Sequence, residues 1–365
     1  MVPDPGADEL LRARTLGFHT PRPGRRSAPR RPQQFDHRSA ELAPVFTALR
    51  IDPDSVVRVS QRVSRRLVLM VELADGDARL LKWPDTDTEH DNDYEYVMLS
   101  LFDRLDLPAR TRAALPRLLA GDRRTGTIAL DVMQDCVRLS DMIRDTHVVD
   151  IAYLVHLAAA MAGLHRASIE EAYADYPDWL LRPPVPKSTI PTPHEYAHGC
   201  GLDFDVYLRT MQELQQDFLE IHAGWRPDSL IHFDLRDDNV LLARDPRASA
   251  PVRVIDWEAA GFGDPYFDLG TLVGQFLTAA LRRHGDPDGP RAARHNIRTF
   301  LFAYRRLAGL EHAHEERIFR YAGILLLVQA ASRLQLLGAL GRIGHLCLLY
   351  GKQLIQNPAP EAILR

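Results

Sequence analysis

The sequence predicts an α+β chain in two lobes: a small antiparallel β-sheet lobe carrying one helix, then a larger, mainly helical lobe. Three observations predict it. Residues 55–83 hold three short runs of β-formers, SVVRVSQR, LVLMVELA and ARLLKW. From residue 134 onward, apolar residues recur at helical spacing. A single strand-loop-strand element, spanning Leu230–Trp257, interrupts that helical half. The expected organisation is a disordered Arg/Pro-rich tail over 1–40, an N-terminal β-rich lobe over 41–133 and a helical C-terminal lobe over 134–365.

The elements follow in order. The tail, HTPRPGRRSAPRRPQQ in its middle, has few apolar residues to offset the cost of ordering the chain. Its arginines, Arg12, Arg14, Arg22, Arg25, Arg26, Arg30 and Arg31, make it a solvated segment or an arm for an acidic protein partner. After the first two strands, ADGD at Ala74–Asp77 is a hairpin turn with Gly where positive φ is needed. YEYVMLSLFDRL then has helical spacing, with Thr86, Thr88 or Asp91 as its cap. A strand pair follows around Pro116–Met133, turning at Asp122–Gly126. AYLVHLAAAMAGLHRA (152–167) and DVYLRTMQELQQDFLEIHAGW (205–225) read as helices, separated by a proline-bearing insert over 168–200. Helices dominate from Leu269, and Gly323–Ile355 reads as a buried helix pair. Arg333, Arg342, His345 and Lys352 make that stretch too polar to span a membrane.

Composition excludes several classes. The chain has 365 residues, 45% hydrophobic and 26% charged, with a net charge of −4. That balance argues against a general nucleic-acid binder. Three cysteines, Cys136, Cys200 and Cys347, are odd in number and far apart, which supports neither a disulfide framework nor a cysteine zinc site. The start MVPDPGADELL lacks a basic stretch followed by an apolar run. A cytoplasmic protein, away from the membrane, is expected. Lysine occurs only at Lys82, Lys187 and Lys352 among many arginines, a bias that draws attention to each.

The chemistry sits in SLIHFDLRDDNVLL (229–242) and VRVIDWEAAGFGDPYFDLG (252–270). His232, Asp234 and Asn239 form H-x-D-x-x-x-x-N, and Asp256 closes the apolar run VRVI. Paired as a hairpin, LLAR and VRVI return Asp256 to the loop holding Asp234 and Asn239. Two carboxylates and an amide oxygen then converge, a set of hard donors that suits Mg²⁺ with phosphate oxygens completing the octahedron. This is the layout of a phosphoryl-transfer site.

On these residues the chain resembles the aminoglycoside phosphotransferase and choline kinase family, relatives of the protein kinases. The resemblance implies a bilobal protein-kinase-like fold and an ATP- and Mg²⁺-dependent O-phosphotransferase. It implies that Asp234 is the catalytic-loop aspartate that takes or orients the acceptor proton. Asn239 and Asp256, the latter in IDWE, become the Mg²⁺ ligands. Asp268, in GDPYFDLG, braces the catalytic loop. Lys82, in RLLKW, pairs with the α- and β-phosphates, and Glu95 is its ion-pair partner ahead of Glu89. Backbone groups of Asp131, Val132 and Met133 face the adenine.

Two departures from the family pattern stand out. The loop QRVSRRL contains no glycine, so Ser64, with Arg65 and Arg66, is a candidate phosphate ligand through its side chain; an ordinary charged hairpin is the alternative. Arg236 stands two residues after Asp234, either to stabilise transferred charge or to pair with Asp238. His165 is expected to pack beneath the loop, His232 to support its backbone, and Glu258 to lie at the edge of the metal site or to make a structural hydrogen bond. His194 and His198 are expected to be solvated loop histidines. The short Asp256–Asp264 interval leaves no long activation segment and no A-P-E, which favours a small hydroxylated acceptor. The wall over Ser168–Tyr207, with Glu170, Glu171, Asp175, Asp178, Glu195, Asp203 and Asp205, would suit a cationic one. The alternatives are a Ser/Thr kinase of a short ribosomally made precursor peptide, and a pseudokinase that binds without turnover.

Overall fold

The computed structural model describes residues 34–36, 38, 42–62, 67–83, 94–123, 126–167, 201–283, 285–309 and 314–359. Most of the expected tail, Ser64–Arg66, the three cap candidates, Glu89, and the 168–200 insert with its acidic residues and histidines lie outside the described residues.

The chain enters through β1 (Gln34–Phe35) and α1 (Ala43–Ala48). It continues through β2 (Val56–Arg62), β3 (Leu67–Leu73) and β4 (Ala78–Trp83) to α2 (Tyr94–Arg104) and the short α3 (Ala109–Ala113). The strands β5 (Leu118–Asp122) and β6 (Thr127–Asp131) complete a six-stranded antiparallel sheet in the order β1-β2-β3-β4-β6-β5. Within the span expected as a tail, Gln34 and Phe35 form a strand. Gln34 and Phe35 pair with Ser60 and Val59, covering an edge whose backbone groups would otherwise lack partners. Gly76 in the β3–β4 turn has φ +89°, as the ADGD reading required.

Alternation along the strands sorts the two faces of this sheet. Leu69, Val71, Leu73 and Leu81 point outward into a small core with Phe46 and Leu49 of the α1 segment. Val68, Met70, Leu80 and Lys82 point the other way and line a cleft. Val68 lies opposite Lys82 in the ladder, so the pleat itself delivers the lysine to the cleft face.

The second lobe begins with β7 (Cys136–Arg138), α4 (Leu139–Thr146) and α5 (Ile151–His165), the last capped by Asp150 accepting from Ala152 N at 2.8 Å. The helix expected over 205–225 is two helices, α6 (Leu202–Glu213) and α7 (Gln215–Ala223). They divide at the buried Leu214, one turn after Thr210, whose hydroxyl donates back to Val206 O at 2.9 Å. Back-bonding of this kind bends helices.

Then come β8 (Ser229–Ile231), β9 (Val240–Ala243), β10 (Val252–Val254) and β11 (Gly261–Gly263). β9 and β10 form the expected hairpin, with Val240 opposite Val254, and β7 flanks it. The helices α8 (Pro265–Arg282), α9 (Asp288–Ala308), α10 (Glu315–Leu337) and α11 (Gly341–Gln356) close the chain. α8 is buried on nearly every side and forms the axis of the lobe. No helix of the described residues is long and apolar enough to cross a membrane.

Candidate active site

The site lies where the inner face of the large sheet meets the β8–β9 loop and the residues after β10. From the sheet, Lys82 Nζ reaches Glu95 of α2 at 2.7 and 2.9 Å and Asp256 Oδ1 at 2.7 Å. Glu95 is 4% exposed, so its carboxylate is committed to this ammonium. Burial works against the charge on Lys82, but Glu95 and then Asp256 outweigh it and hold its pKa above the ordinary lysine value. The same pairing overcomes burial at Asp256 and holds that carboxyl below the usual range.

Asp256 occupies the left-handed region, φ +69°. A short aspartate tolerates that conformation better than a bulky residue. The turn after it is fixed from two sides: Ile255 N donates to Asn239 O at 2.9 Å, and Trp257 Nε1 donates to Val254 O at 2.9 Å. Trp257, fully buried, meets Phe102 of α2 edge to face at 4.7 Å, and Tyr94 of the same helix donates to Ala260 O. The helix that supplies Glu95 is thereby seated on the turn that supplies Asp256.

The β8–β9 loop is strained and heavily braced. Phe233 has φ +65°, a costly conformation for a bulky side chain. Asp268, on the buried side of α8, accepts from His232 N at 2.7 Å and Phe233 N at 2.9 Å. His165 Nε2 lies 3.2 Å from the same carboxylate, and its Nδ1 lies 2.7 Å from the Tyr304 hydroxyl. His232 donates through Nε2 to Ile255 O (2.9 Å) and accepts at Nδ1 from Asp234 N (3.2 Å), so it ties the loop to the β10 turn. The bracing expected of Asp268 and the backbone support expected of His232 are both present. His165 also does more than pack, since it is hydrogen-bonded at both nitrogens.

Asn239 Nδ2 donates to Asp234 O at 2.9 Å and to Asp234 Oδ2 at 3.3 Å. Its amide nitrogen is spent there, which turns the amide oxygen outward. Burial raises the Asp234 carboxyl above its ordinary value, with Arg236 and His232 opposing. Arg236 Nε lies 2.9 Å from Asp234 Oδ1. Of the two roles expected for Arg236, pairing with Asp238 is not found: Asp238 instead accepts from Ser140 of α4 at 2.7 Å, with Arg138 4.0 Å away. Ser140 faces the loop across the helix start, so it reaches Asp238 while Arg236 turns toward Asp234.

The residues proposed to face adenine are divided. Asp131 N donates to Arg117 O at 3.1 Å, and its carboxylate takes Arg117 N at 2.7 Å and Arg253 at 2.8 Å. Its N–H is thus consumed by the sheet edge. Val132 and Met133 lie in irregular chain on the cleft wall. Ser64 lies outside the described residues. Sequence reasoning missed the Ser140–Asp238 and Arg253–Asp131 contacts, because each joins side chains about a hundred residues apart with no local pattern.

Glu95, Asp256 and Glu258 bring carboxylate oxygens within 4.8 Å of one another. The Lys82 ammonium already bridges the first two, so a metal at their centre would be repelled. The better set is Asp256 with the Asn239 amide oxygen, all hard donors. The cleft itself has a volume of about 1230 Å³ and is lined by Val68, Met70, Leu80, Met133, Asn239 and Asp256, among others.

With this geometry in place, comparison with known proteins identifies the class. Residues 54–310 match the phosphotransferase enzyme family, and the chain belongs to it. It is therefore an enzyme, a kinase-type phosphotransferase with an alcohol group as acceptor. No curated protein is a significant match to its sequence. Among solved structures, a choline kinase from Cryptosporidium parvum superposes with a TM-score of 0.53 at 14% identity, covering 86% of this chain and 92% of that one. An amicoumacin kinase in complex with AMP-PNP, Ca²⁺ and Ami gives 0.54 at 12% identity, covering 88% and 95%. A microcompartment-associated aminopropanol kinase gives 0.52 at 17%, covering 88% and 98%. These likenesses are of fold, and they agree with the bilobal protein-kinase-like architecture.

Proposed function

We propose that the enzyme transfers the γ-phosphoryl group of ATP, with Mg²⁺, to the hydroxyl of a small molecule. The observation that carries this reading is the chain of contacts from Glu95 through Lys82 to Asp256, set against the Asp234–Asn239 loop. It joins one cation from the sheet lobe to oxygen donors from the helical lobe across a cleft large enough for a nucleotide. Asp256 and the Asn239 amide oxygen would hold Mg²⁺, whose chemistry is to neutralise charge on the phosphate oxygens. Lys82 is placed to neutralise the α- and β-phosphates once the nucleotide enters. Val132 and Met133 offer backbone groups to the base.

Asp234 acts on the acceptor. Its burial raises its proton affinity above that of a solvated carboxylate, which suits a general base. As the acceptor oxygen bonds to phosphorus, its proton passes to Asp234 and the bond from phosphorus to the ADP oxygen breaks. Arg236, beside Asp234, adds positive charge where the phosphoryl group passes. Positioning and charge neutralisation supply most of the acceleration. The peptide-acceptor and non-catalytic alternatives gain no observation of their own.

Asp234→Ala is expected to lower kcat by about 10²–10⁴-fold while Mg·ATP affinity is retained. Asp256→Ala is expected to lose Mg²⁺-dependent nucleotide binding in calorimetry. Full turnover in the first variant, or unchanged affinity in the second, would overturn the assignment. The acceptor is to be sought in a screen spanning aminoglycosides, choline-like amines, nucleosides, Ser/Thr peptides and hydroxy acids.

A further inference from the structure

A second cavity, of about 710 Å³, lies beside the catalytic loop. α4, residues Arg236–Asp238, the end of α8 and the start of α9 enclose it. It shares Arg138, Asp141, Arg236 and Asp238 with the nucleotide cleft, so the two spaces meet at the loop that carries Asp234. A molecule held there lies against Arg236–Asp238, the residues that follow Asp234 in that loop.

The charge of the lining is uneven. Five arginines, at 138, 144, 236, 282 and 283, face three aspartates, at 141, 237 and 238. Most of these charges are already matched. Asp141 takes Arg144 at 2.7 Å, Asp238 takes Ser140, Arg236 lies against Asp234, and Arg283 meets Asp286 and His147. Arg282 is different. No ion pair or hydrogen bond engages its guanidinium among the described residues, and Asp237 is the cavity carboxylate whose field it feels. The apolar part of the wall, including Ile143, Phe276, Ala280 and Ala293, offers a surface for the uncharged part of a bound molecule beside that guanidinium.

We propose that the acceptor carries an anionic group, a carboxylate or a phosphate ester, and that this group docks on Arg282 in this cavity. The inference rests on the phosphotransferase reading and deepens it by naming the acceptor's charge. A guanidinium presents a planar fork that matches either anion in two parallel hydrogen bonds. A cationic amine finds no such partner in that guanidinium. The acidic residues expected from the 168–200 insert lie outside the described residues, and Asp203, a described member of that wall, is spent on Leu340 N at 2.9 Å and His345 at 3.3 Å.

The test is calorimetry on the full chain saturated with Mg·ADP, with glycerol 3-phosphate, D-glycerate and choline as separate probes. At least one of the two anions is expected to bind saturably, and choline is not. Which anion binds more tightly distinguishes the phosphate from the carboxylate source. Arg282→Ala is expected to weaken the anion about tenfold or more, and Arg282→Lys to recover part of that loss. The exposed position of Arg282 makes both variants foldable, and their Mg·ADP affinity serves as the control. Choline binding more tightly than both anions, no anion binding, or an unchanged affinity in Arg282→Ala overturns the proposal. Failure of the wild-type protein to bind Mg·ADP at all sinks the phosphotransferase reading instead, a separate outcome.

Discussion

Asp268 never lines the cleft, yet the loop that carries the chemistry hangs from it. Its two oxygens take the consecutive N–H groups of His232 and Phe233, and His165 closes the set. Hydrogen bonds to a buried charge contribute about 1.5–3 kcal/mol each, enough to hold Phe233 in its left-handed conformation. Asp268→Asn turns an NH₂ group toward one of those N–H donors. We expect kcat to fall by about tenfold to a hundredfold with Mg·ATP affinity nearly unchanged, a split that steady-state kinetics and calorimetry together would show. Loss of nucleotide affinity in equal measure would make Asp268 a general stability residue. At this scale the sequence was informative where spacing is local. Asp234, Asn239, Asp256 and Asp268 stand within 35 residues, and the convergence of the first three follows from one hairpin. The partner of Arg236 and the spent N–H of Asp131 were hidden, because both depend on rotamers and on a sheet edge formed by distant chain.

Among the elements, strand alternation and helical spacing survived well, and what they could not convey was how closely helices approach. The apolar stretch Gly323–Ile355 was legible as a helix pair, but not its crossing point. There, a Cβ on Gly323 would lie 2.8 Å from Gly351 O, and one on Gly351 would lie 2.9 Å from Gly323 O. The two backbones touch, and a backbone oxygen cannot swing aside as the end of a side chain can. Gly323→Ala is therefore expected to destabilise the fold by about 1–3 kcal/mol, as overpacking does. Urea unfolding should show a lower midpoint with an unchanged m-value. A midpoint equal to that of the parent would mean that the helices slide apart at no cost. The break at Leu214 was equally invisible, since the apolar period runs through it without interruption.

For the whole molecule, the question is whether two lobes mean two folding units. The sequence suggested a division near residue 133, and it showed both lobes through their element types. It could not show where the cores join. The small core over α1 and the outer sheet face is separate. The large core, however, runs from α8 and α10 through Trp257 and Phe102 to Met98, Ile128 and Leu130, and so continues beneath the sheet. Lys82 adds a charged tie across the same boundary. A continuous apolar core makes opening one lobe expose the other, which favours a single cooperative transition despite the chain length. Calorimetry is expected to give one peak. A saturating nucleotide at about a hundred times its Kd adds roughly 2.7 kcal/mol, which for a chain of this size raises Tm by only about 3–4 °C. That shift should move the whole peak in the parent and vanish in Asp256→Asn. Two resolved peaks, with Mg·ATP moving only one, would mean that the lobes fold independently and that the shared core beneath the sheet does not couple them.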